Sequence, residues 1–284
     1  MDWIKAKKIS ILILVVLNVV LVALNYRKGY EYKLTAGQEK AAFSVMAQNG
    51  INIYTELISD YRPMGSISVY MPEIGSETFM KIFFKNGDEI ETAIDYNKII
   101  YKSGTKILVI EGNKVSFVDS GEDKRGILEE DARRSADSLM KSVGLRSAGG
   151  YELDSFYESE GSYVFEYYLK FKEFKIFSSR AVIQVGSSGI KNFSASFFGI
   201  DGLSDKKHEI CSCDEALLTF MYEAKKQGLG SLFVTKIELG YDFQNTGEIA
   251  EGRSLNLVPF YYIYVANEEG PYVVDAYKNE IKPS

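Results

Sequence analysis

The longest apolar run in the chain lies close to its amino end. Residues 9–26 carry no charge, and only Ser10, Asn18 and Asn25 are clearly polar among them. As an α-helix, a run of this size reaches about 27 Å at about 1.5 Å per residue, close to the roughly 30 Å of a bilayer's hydrocarbon layer. The run therefore predicts a transmembrane helix, preceded by a short stub formed by residues 1–8.

The charges beside the run predict its orientation. Lys5, Lys7 and Lys8 precede it, and cytoplasmic flanks usually carry the excess of basic residues. A cleaved signal peptide is the alternative, but that class has a shorter apolar core and small residues at the cleavage site. Residues 22–27 show no such site. We therefore expect a single-pass protein of the cell membrane, with its amino end in the cytoplasm and the bulk of the chain extracytoplasmic.

Beyond the run, the pattern switches three times from helical to strand-like. Helices are predicted to open at Thr35, near Leu128 and at Ser212, and the first and third openings have a Gln or Glu three residues later, as in a capping box. Period-two segments follow each helix, for example 163–171, where aromatic and polar side chains alternate. The pattern predicts an α+β fold, in which each helix covers one face of an antiparallel sheet.

The polar, glycine-punctuated stretch 119–126 predicts a domain boundary. It separates an N-terminal extracytoplasmic domain, 30–120, from a C-terminal one, 127–284. Within the first domain, the apolar run 78–84 is predicted as a strand. Within the second, Pro259 interrupts a long apolar run. Because proline cannot donate to a ladder, we expect its strand to lie at a sheet edge or to begin pairing after Pro259.

Composition excludes some classes of function. The formal net charge of −6 disfavours nucleic-acid binding. Cys211 and Cys213, the two cysteines of the chain, are one residue apart, too close for a disulfide framework. With His208 they form the one cluster of metal-ligand residue types, but structural zinc sites usually space their cysteines by two to four residues. We therefore predict no metal and no cofactor.

No catalytic motif is present either. The sequence lacks a G-x-S-x-G elbow, a Walker loop and an H-E-x-x-H pair, and its single histidine removes most triads. The protein is therefore expected not to be an enzyme. Asn18 lies midway along the apolar run, where an amide is usually kept for contact with another helix. Together with Leu14 and Leu21, at helical spacing, it is the predicted partner-binding site; the alternative is that one asparagine is merely tolerated there.

The sequence resembles the YycI/YycH family, most closely YycI, over nearly the whole chain, and the resemblance is most specific in two parts. One is the opening Met1-Asp2-Trp3 with its lysines, and the other is the closing unit from about Ser212 to Ile281, which includes KIELGYDF and YVVDAYKNEI. The resemblance implies a membrane-anchored accessory regulator of an essential two-component sensor histidine kinase, WalK (YycG), that controls cell-wall metabolism. Such a protein associates with the kinase and a YycH-like paralogue through its membrane helix and outer domain, and tunes or restrains the kinase.

The closing unit is also similar to a PepSY-type module. In that module a helix packs on a small antiparallel sheet whose last strand ends in a D-x-x-x-G-like turn. Here the turn is Asp275–Asn279, and Asn279 replaces the usual glycine, since asparagine also tolerates a left-handed backbone. This similarity implies an alternative function, an anchored extracytoplasmic module that binds a ligand or inhibits a peptidase.

Overall fold

The computed structural model describes residues 3–123, 126–143, 150–244 and 255–282. The helices in these ranges are α1 (Trp3–Glu31), α2 (Ala36–Gln48), α3 (Ser76–Phe83), α4 (Glu129–Val143) and α5 (Cys213–Lys226). The strands are β1 (Ile51–Ile53), β2 (Met64–Tyr70), β3 (Glu91–Asp95), β4 (Lys98–Ser103), β5 (Lys106–Glu111), β6 (Lys114–Asp119), β7 (Gly150–Ser159), β8 (Ser162–Phe171), β9 (Phe174–Gly186), β10 (Gly189–Ser196), β11 (Gly199–His208), β12 (Leu232–Phe243), β13 (Leu255–Val265), β14 (Tyr272–Asp275) and β15 (Glu280–Ile281).

The predicted fold class, helices packed on purely antiparallel sheets behind a membrane helix, is wrong. The strands of the described residues pair in a mixed sheet in which β1 runs parallel to β12 and β12 runs parallel to β9. Parallel neighbours need a long connection between them, and β1 and β12 are far apart in the chain. The alternation of polar and apolar residues reports burial of one face but not the direction of the neighbouring strand.

The predicted membrane span is also corrected. Residues 9–26 lie in α1, whose described side chains from Ile11 to Val22 are exposed, but no helix in the described ranges is both long enough and apolar enough to cross a bilayer. The single-pass location in the cell membrane, with a cytoplasmic amino end and an extracytoplasmic bulk, is therefore wrong. The run is at the short end of what a bilayer requires, and Ser10 and Asn18 are polar positions within it.

The chain folds into two compact units that alternate along the sequence. The first unit comprises Met1–Met64, His208–Glu238 and Tyr261–Ser284, and the second comprises Gly65–Lys207 and Leu239–Phe260. Strands β12 and β13 contribute residues to both units. The polar stretch 119–126, expected from the sequence as a boundary, lies inside the second unit.

The first unit combines α2 and α5 with β1, β14, β15 and parts of β12 and β13. Helix α2 packs on β1 and on α5, while α5 packs on β14 and β15. The capping box of α2 is confirmed: the Gln38 N–H donates to Thr35 Oγ1 at 3.3 Å, and Gln38 Oε1 accepts from the Thr35 N–H at 3.0 Å. The core of the first unit includes the fully buried side chains of Met46, Phe220 and Tyr261.

The second unit packs α3 and α4 against its strands around an aromatic cluster. The rings of Phe83 and Phe117 stack with centroids 4.0 Å apart at 11°, and Phe79 and Phe193 join them. Residues 78–84, predicted as a strand, belong mostly to helix α3. A short apolar run fits both periods, and here the helical one prevails, because Phe79 and Phe83 are four residues apart and both are buried.

Pro259 lies in β13, which is not an edge strand. Strand β13 is positioned between β2 and β12, and its pairing with β2 runs from Leu255 to Leu257, before the proline. The expectation that this strand lies at an edge or begins to pair after Pro259 is therefore wrong. The strand accommodates the proline because the pairing with β2 ends two residues ahead of it.

Candidate functional site

The partner-binding residues predicted from the sequence lie on α1. Leu14 and Leu21 are exposed, at 62% and 51% of their full accessible surface. The Asn18 amide nitrogen donates to the Leu14 carbonyl oxygen of the same helix at 2.8 Å. The amide therefore finds a partner within α1, which weakens the argument that it needs one from another helix. Contact of this face with a partner stays a prediction.

Of the residues His208, Cys211 and Cys213, Cys213 belongs to the first unit's core, while Cys211 is partly buried and His208 is exposed. Cys213 is fully buried, and burial raises the pKa of both thiols to about 12. The His208 ring meets Tyr277 edge to face at 5.5 Å. In the described ranges, no three His, Cys, Asp or Glu side chains are grouped to hold a metal ion. The two thiols therefore act as packing groups rather than as nucleophiles at neutral pH.

The closing turn has the geometry expected from its sequence. The carboxylate of Asp275 accepts from the N–H groups of Tyr277 and Lys278 at 2.9 and 3.1 Å. Asn279 adopts φ of 53°, a left-handed conformation, and its side-chain oxygen accepts from the Thr219 hydroxyl at 2.8 Å. These contacts fasten the turn to α5. The Asp275 carboxylate is thus occupied in holding the fold.

A different part of the molecule has the features of an interaction site. In the second unit, the strand order ends on one side at β11 and on the other at β3, and β7 pairs with β8 alone. A strand at the end of a sheet presents main-chain N–H and C=O groups that another polypeptide can pair with. These three strands are therefore the places in the second unit where the described sheet could extend.

Two of these strands carry features that block an added strand. In β7 the register shifts between Leu153 and Ser155, and the carboxylate of Asp154 in this bulge forms an ion pair with Lys175. Bulges twist an edge away from further pairing. Strand β11 ends in the charged run 205–207, and closely apposed charges on an edge likewise oppose addition.

Strand β3 is regular and open. Its five residues pair with β4 in one unbroken register, from Glu91 opposite Lys102 to Asp95 opposite Lys98, and all five are exposed. Asp95 and Lys98 flank a two-residue turn and pair with each other, and the residues that flank such a hairpin turn form a hydrogen-bonded pair. Hydrogen-bonded and non-hydrogen-bonded pairs then alternate along the strand, so Thr92 and Ile94 direct their N–H and C=O groups away from β4. We call this row of groups the β3 edge.

The side chains along the β3 edge continue two patterns of the sheet. On the face covered by the helices, Ile94 lies opposite Ile99, and Ile99 lies opposite the buried Ile110. Ile94 itself is 77% exposed, and Tyr96, beside it at the hairpin tip, is 99% exposed with φ of 53°. An apolar row therefore runs outward from the core and reaches solvent at β3.

On the opposite face, charges alternate from strand to strand. Lys114 lies opposite Glu111, Glu111 lies opposite Lys98, and Lys98 lies opposite Asp95. Within this charge ladder, Lys98 Nζ and Glu111 Oε2 are 3.2 Å apart. A shorter row pairs Lys102 with Glu91. Both rows end at the open edge on a carboxylate.

Comparisons with known proteins give a fold likeness but no family. No family model and no curated protein matches the sequence, so the resemblance to the YycI/YycH family gains no support from them. The chain is similar to the crystal structure of an uncharacterized protein from Eubacterium rectale, with 14% identity and a TM-score of 0.56, over 83% of this chain and 91% of that one. At this identity the likeness concerns the fold alone.

A second solved structure gives a weaker likeness. It is the C-terminal domain of YpeB from Bacillus megaterium, which has 12% identity and a TM-score of 0.41, over 73% of this chain and 93% of that one. A score of this size supports no inference about fold or function. The candidate site therefore depends on the geometry of the β3 edge itself.

Sequence reasoning found the strands of this site but not the site. The alternation of β3 to β6 and the turns at Ser103-Gly104 and Gly112-Asn113 are readable from the residues alone. That β3 lies last in the order depends on the pairing of β6 with β10, whose partners are more than seventy residues apart. The one local signal is a hairpin strand with an acid at each end, Glu91 and Asp95.

Proposed function

We propose that this protein is a non-catalytic binding protein that captures an extended segment of another polypeptide as an added strand along the β3 edge. The observation that carries the proposal is the combination of an unbroken, fully exposed strand with outward main-chain groups at Thr92 and Ile94. Strand addition of this kind gives affinity through main-chain hydrogen bonds and specificity through alternate side chains.

Hydrophobic burial supports the same proposal. An added strand with an apolar side chain opposite Ile94 extends the row formed by Ile94, Ile99 and Ile110 by one position. Ile94 is largely exposed, and covering such a side chain contributes roughly 1 to 2 kcal/mol at about 25 cal/mol per Å². The contribution favours a partner over solvent without making the free protein depend on it for folding.

The test replaces the main-chain donor and leaves the strand pairing of the protein intact. Ile94→Pro removes one of the two outward N–H groups of β3, the other being that of Thr92, without touching a donor that faces β4. A fluorescently labelled extended peptide with an apolar central residue, titrated into the full chain, is expected to bind the natural protein and the Ile94→Val control, and to bind Ile94→Pro at least tenfold more weakly. Equal binding to all three proteins would overturn strand addition at this edge.

The identity of the partner is the finer part of the proposal. The resemblance to the YycI/YycH family supports a sensor histidine kinase or a YycH-like protein as the partner, so that binding tunes the kinase; the PepSY-type similarity supports a peptidase as the bound protein instead. Proteins that co-purify with the natural chain and with Ile94→Pro from the source cells, identified by mass spectrometry, distinguish the two kinds of partner. A kinase or YycH-like protein lost only from Ile94→Pro supports regulation, and a peptidase lost in the same way supports inhibition.

A further inference from the structure

We infer that the segment captured at the β3 edge carries two basic side chains four residues apart, which lie opposite Glu91 and Asp95. The inference rests on the proposed strand addition and specifies the chemistry of the partner. Glu91 and Asp95 share one face of β3, since side chains two apart in a strand point to the same side. Both are exposed.

The charge ladder supplies the first argument. Along its row, the sign changes at every strand from Lys114 in β6 to Asp95 in β3. Opposite charges directly across an antiparallel pair stabilise it, and like charges destabilise it. A strand added beyond β3 continues the alternation only when the residue opposite Asp95 is basic.

The shorter row, which pairs Lys102 with Glu91, gives the spacing between the two basic residues of the captured segment. Glu91 lies at the other end of β3, opposite Lys102, and is separated from Asp95 by about 14 Å at about 3.4 Å per residue. A basic residue opposite Glu91 is therefore four positions from the one opposite Asp95. The two rows together require two basic side chains at one fixed spacing. A general attraction to positive charge would not depend on that spacing.

The same acids disfavour a second copy of this chain as the occupant. An antiparallel pair of two β3 strands that matches all five residues is centred on Ala93. In that register Glu91 of each copy lies opposite Asp95 of the other, so two pairs of like charges face each other. The edge is thus selective: it opposes self-pairing and favours a basic segment from a different protein.

The residue opposite Ile94 completes the description of the segment. It lies on the other face, next to the apolar row, and is adjacent in sequence to the residue opposite Asp95. In an antiparallel added strand the segment therefore has the order basic, apolar, small, any residue, basic. The small position faces Ala93.

Three peptides test the inference on the full-length protein. Their five central residues are Lys-Val-Ala-Thr-Lys, Gln-Val-Ala-Thr-Gln and Glu-Val-Ala-Thr-Glu, each with identical flanks and a fluorescent label for anisotropy. Two favourable cross-strand charge pairs of ordinary strength give about a fivefold difference in affinity. We expect the lysine peptide to bind about fivefold more tightly than the glutamine peptide, and the glutamate peptide to bind most weakly.

A charge exchange provides the matched control. The double variant Glu91→Lys and Asp95→Lys is expected to reverse the order, so that the glutamate peptide binds most tightly. The milder variant Glu91→Gln and Asp95→Asn is expected to bind all three peptides within about twofold. A reversed order supports the inference even if the charge exchange lowers the overall affinity, because each comparison is made within one protein.

The results separate this inference from the proposed function. If the three peptides bind equally to the natural protein and Ile94→Pro weakens all of them, strand addition stands and the basic partner is refuted. If Ile94→Pro weakens none of them, strand addition at β3 fails and the inference fails with it. Unchanged preference for the lysine peptide in the charge exchange places the attraction elsewhere on the surface and also refutes the inference.

Discussion

Asn113 and Phe197 exchange hydrogen bonds across 84 positions of sequence. The Asn113 side-chain amide nitrogen donates to the Phe197 carbonyl oxygen at 2.8 Å, and the Phe197 N–H donates to the Asn113 carbonyl oxygen at 2.9 Å. Asn113 is only 5% exposed. It lies in the turn between β5 and β6, while Phe197 follows β10, so this pair fastens the hairpin that supports β4 and β3 to the centre of the second unit.

Replacing Asn113 by alanine is expected to lower the free energy of unfolding by about 1 to 3 kcal/mol. The change leaves the Phe197 carbonyl group with one partner fewer in a buried site, and an unmade buried hydrogen bond costs about that much. Urea unfolding followed by circular dichroism measures it. Asn97→Ala, at an exposed turn whose amide contacts Glu111 at 3.3 Å, serves as the control and is expected to cost less than about 0.5 kcal/mol. Equal losses in the two variants would contradict the role given to Asn113.

The cap of α2 gives a second prediction. Thr35→Ala removes the hydroxyl that accepts from the Gln38 N–H, and such a loss typically costs about 1 kcal/mol. Thr35→Ser keeps an acceptor at the same place and is expected to stay within a few tenths of a kcal/mol of the natural protein. Thermal unfolding of both variants measures the difference in stability. An alanine variant as stable as the serine variant would show that the capping box contributes nothing here.

Gly65 marks a close approach between β2 and β11. A Cβ atom at this position comes within 2.4 Å of the Ser204 carbonyl oxygen, a main-chain atom that cannot rotate aside. Gly65→Ala is therefore expected to destabilise the protein by about 1 to 3 kcal/mol, as overpacking generally does. Gly202→Ala is the control, since nothing lies within 4 Å of its Cβ. A Gly65→Ala variant with unchanged urea midpoint would contradict this tight apposition.

Local signals in the sequence predicted local structure well. The opening of α2 at Thr35 and of α5 at Ser212 follows from the spacing of a hydroxyl and an acid or amide, which acts within one turn of helix. The alternation of side chains along β8 and the left-handed backbone of Asn279 also follow from neighbouring residues. Each of these features depends on residues fewer than ten positions apart.

Long-range pairing explains what the sequence did not reveal. The parallel pairing of Ile51 with Leu232 joins segments whose own patterns do not differ from those of antiparallel strands. The place of Pro259 inside a central strand depends on where β2 stops pairing. For the candidate site, the exposure of Ile94 is a property of tertiary packing and not of the β3 sequence.

The buried thiols predict a loss of stability in alkaline solution. Burial raises the pKa of Cys211 and Cys213 from 9.0 to about 12, so above pH 9 the unfolded chain releases protons that the folded chain keeps. Stability from these groups is complete below pH 9 and declines as the pH rises towards 12. Between pH 8 and pH 10 we expect the free energy of unfolding to fall by about 2 to 3 kcal/mol more in the natural protein than in the Cys211→Ala, Cys213→Ala variant. Urea titrations at the two pH values measure this. Identical pH dependence in the two proteins would mean that the thiols titrate freely in the folded state.

The last prediction concerns self-association through β3. Five exposed residues in regular register form an edge that ordinarily invites pairing with its own kind. Glu91 and Asp95 oppose this, because they face each other in the register that pairs all five residues, and each like-charge pair costs a fraction of a kcal/mol to about 1 kcal/mol.

Removing the two charges should therefore strengthen the dimer. In the variant Glu91→Gln and Asp95→Asn we expect the dimerisation constant, measured by sedimentation equilibrium, to rise about fivefold or more over the natural protein. Glu268→Gln with Glu269→Gln changes the net charge equally at exposed positions between β13 and β14, and it is expected to leave association unchanged. Adding Ile94→Pro to the β3 variant is expected to abolish the rise in the dimerisation constant, since it removes an outward N–H that donates to the other copy in the paired strands. Equal association of the two charge variants would assign the effect to net charge and would remove the acids of β3 from any role in choosing a partner.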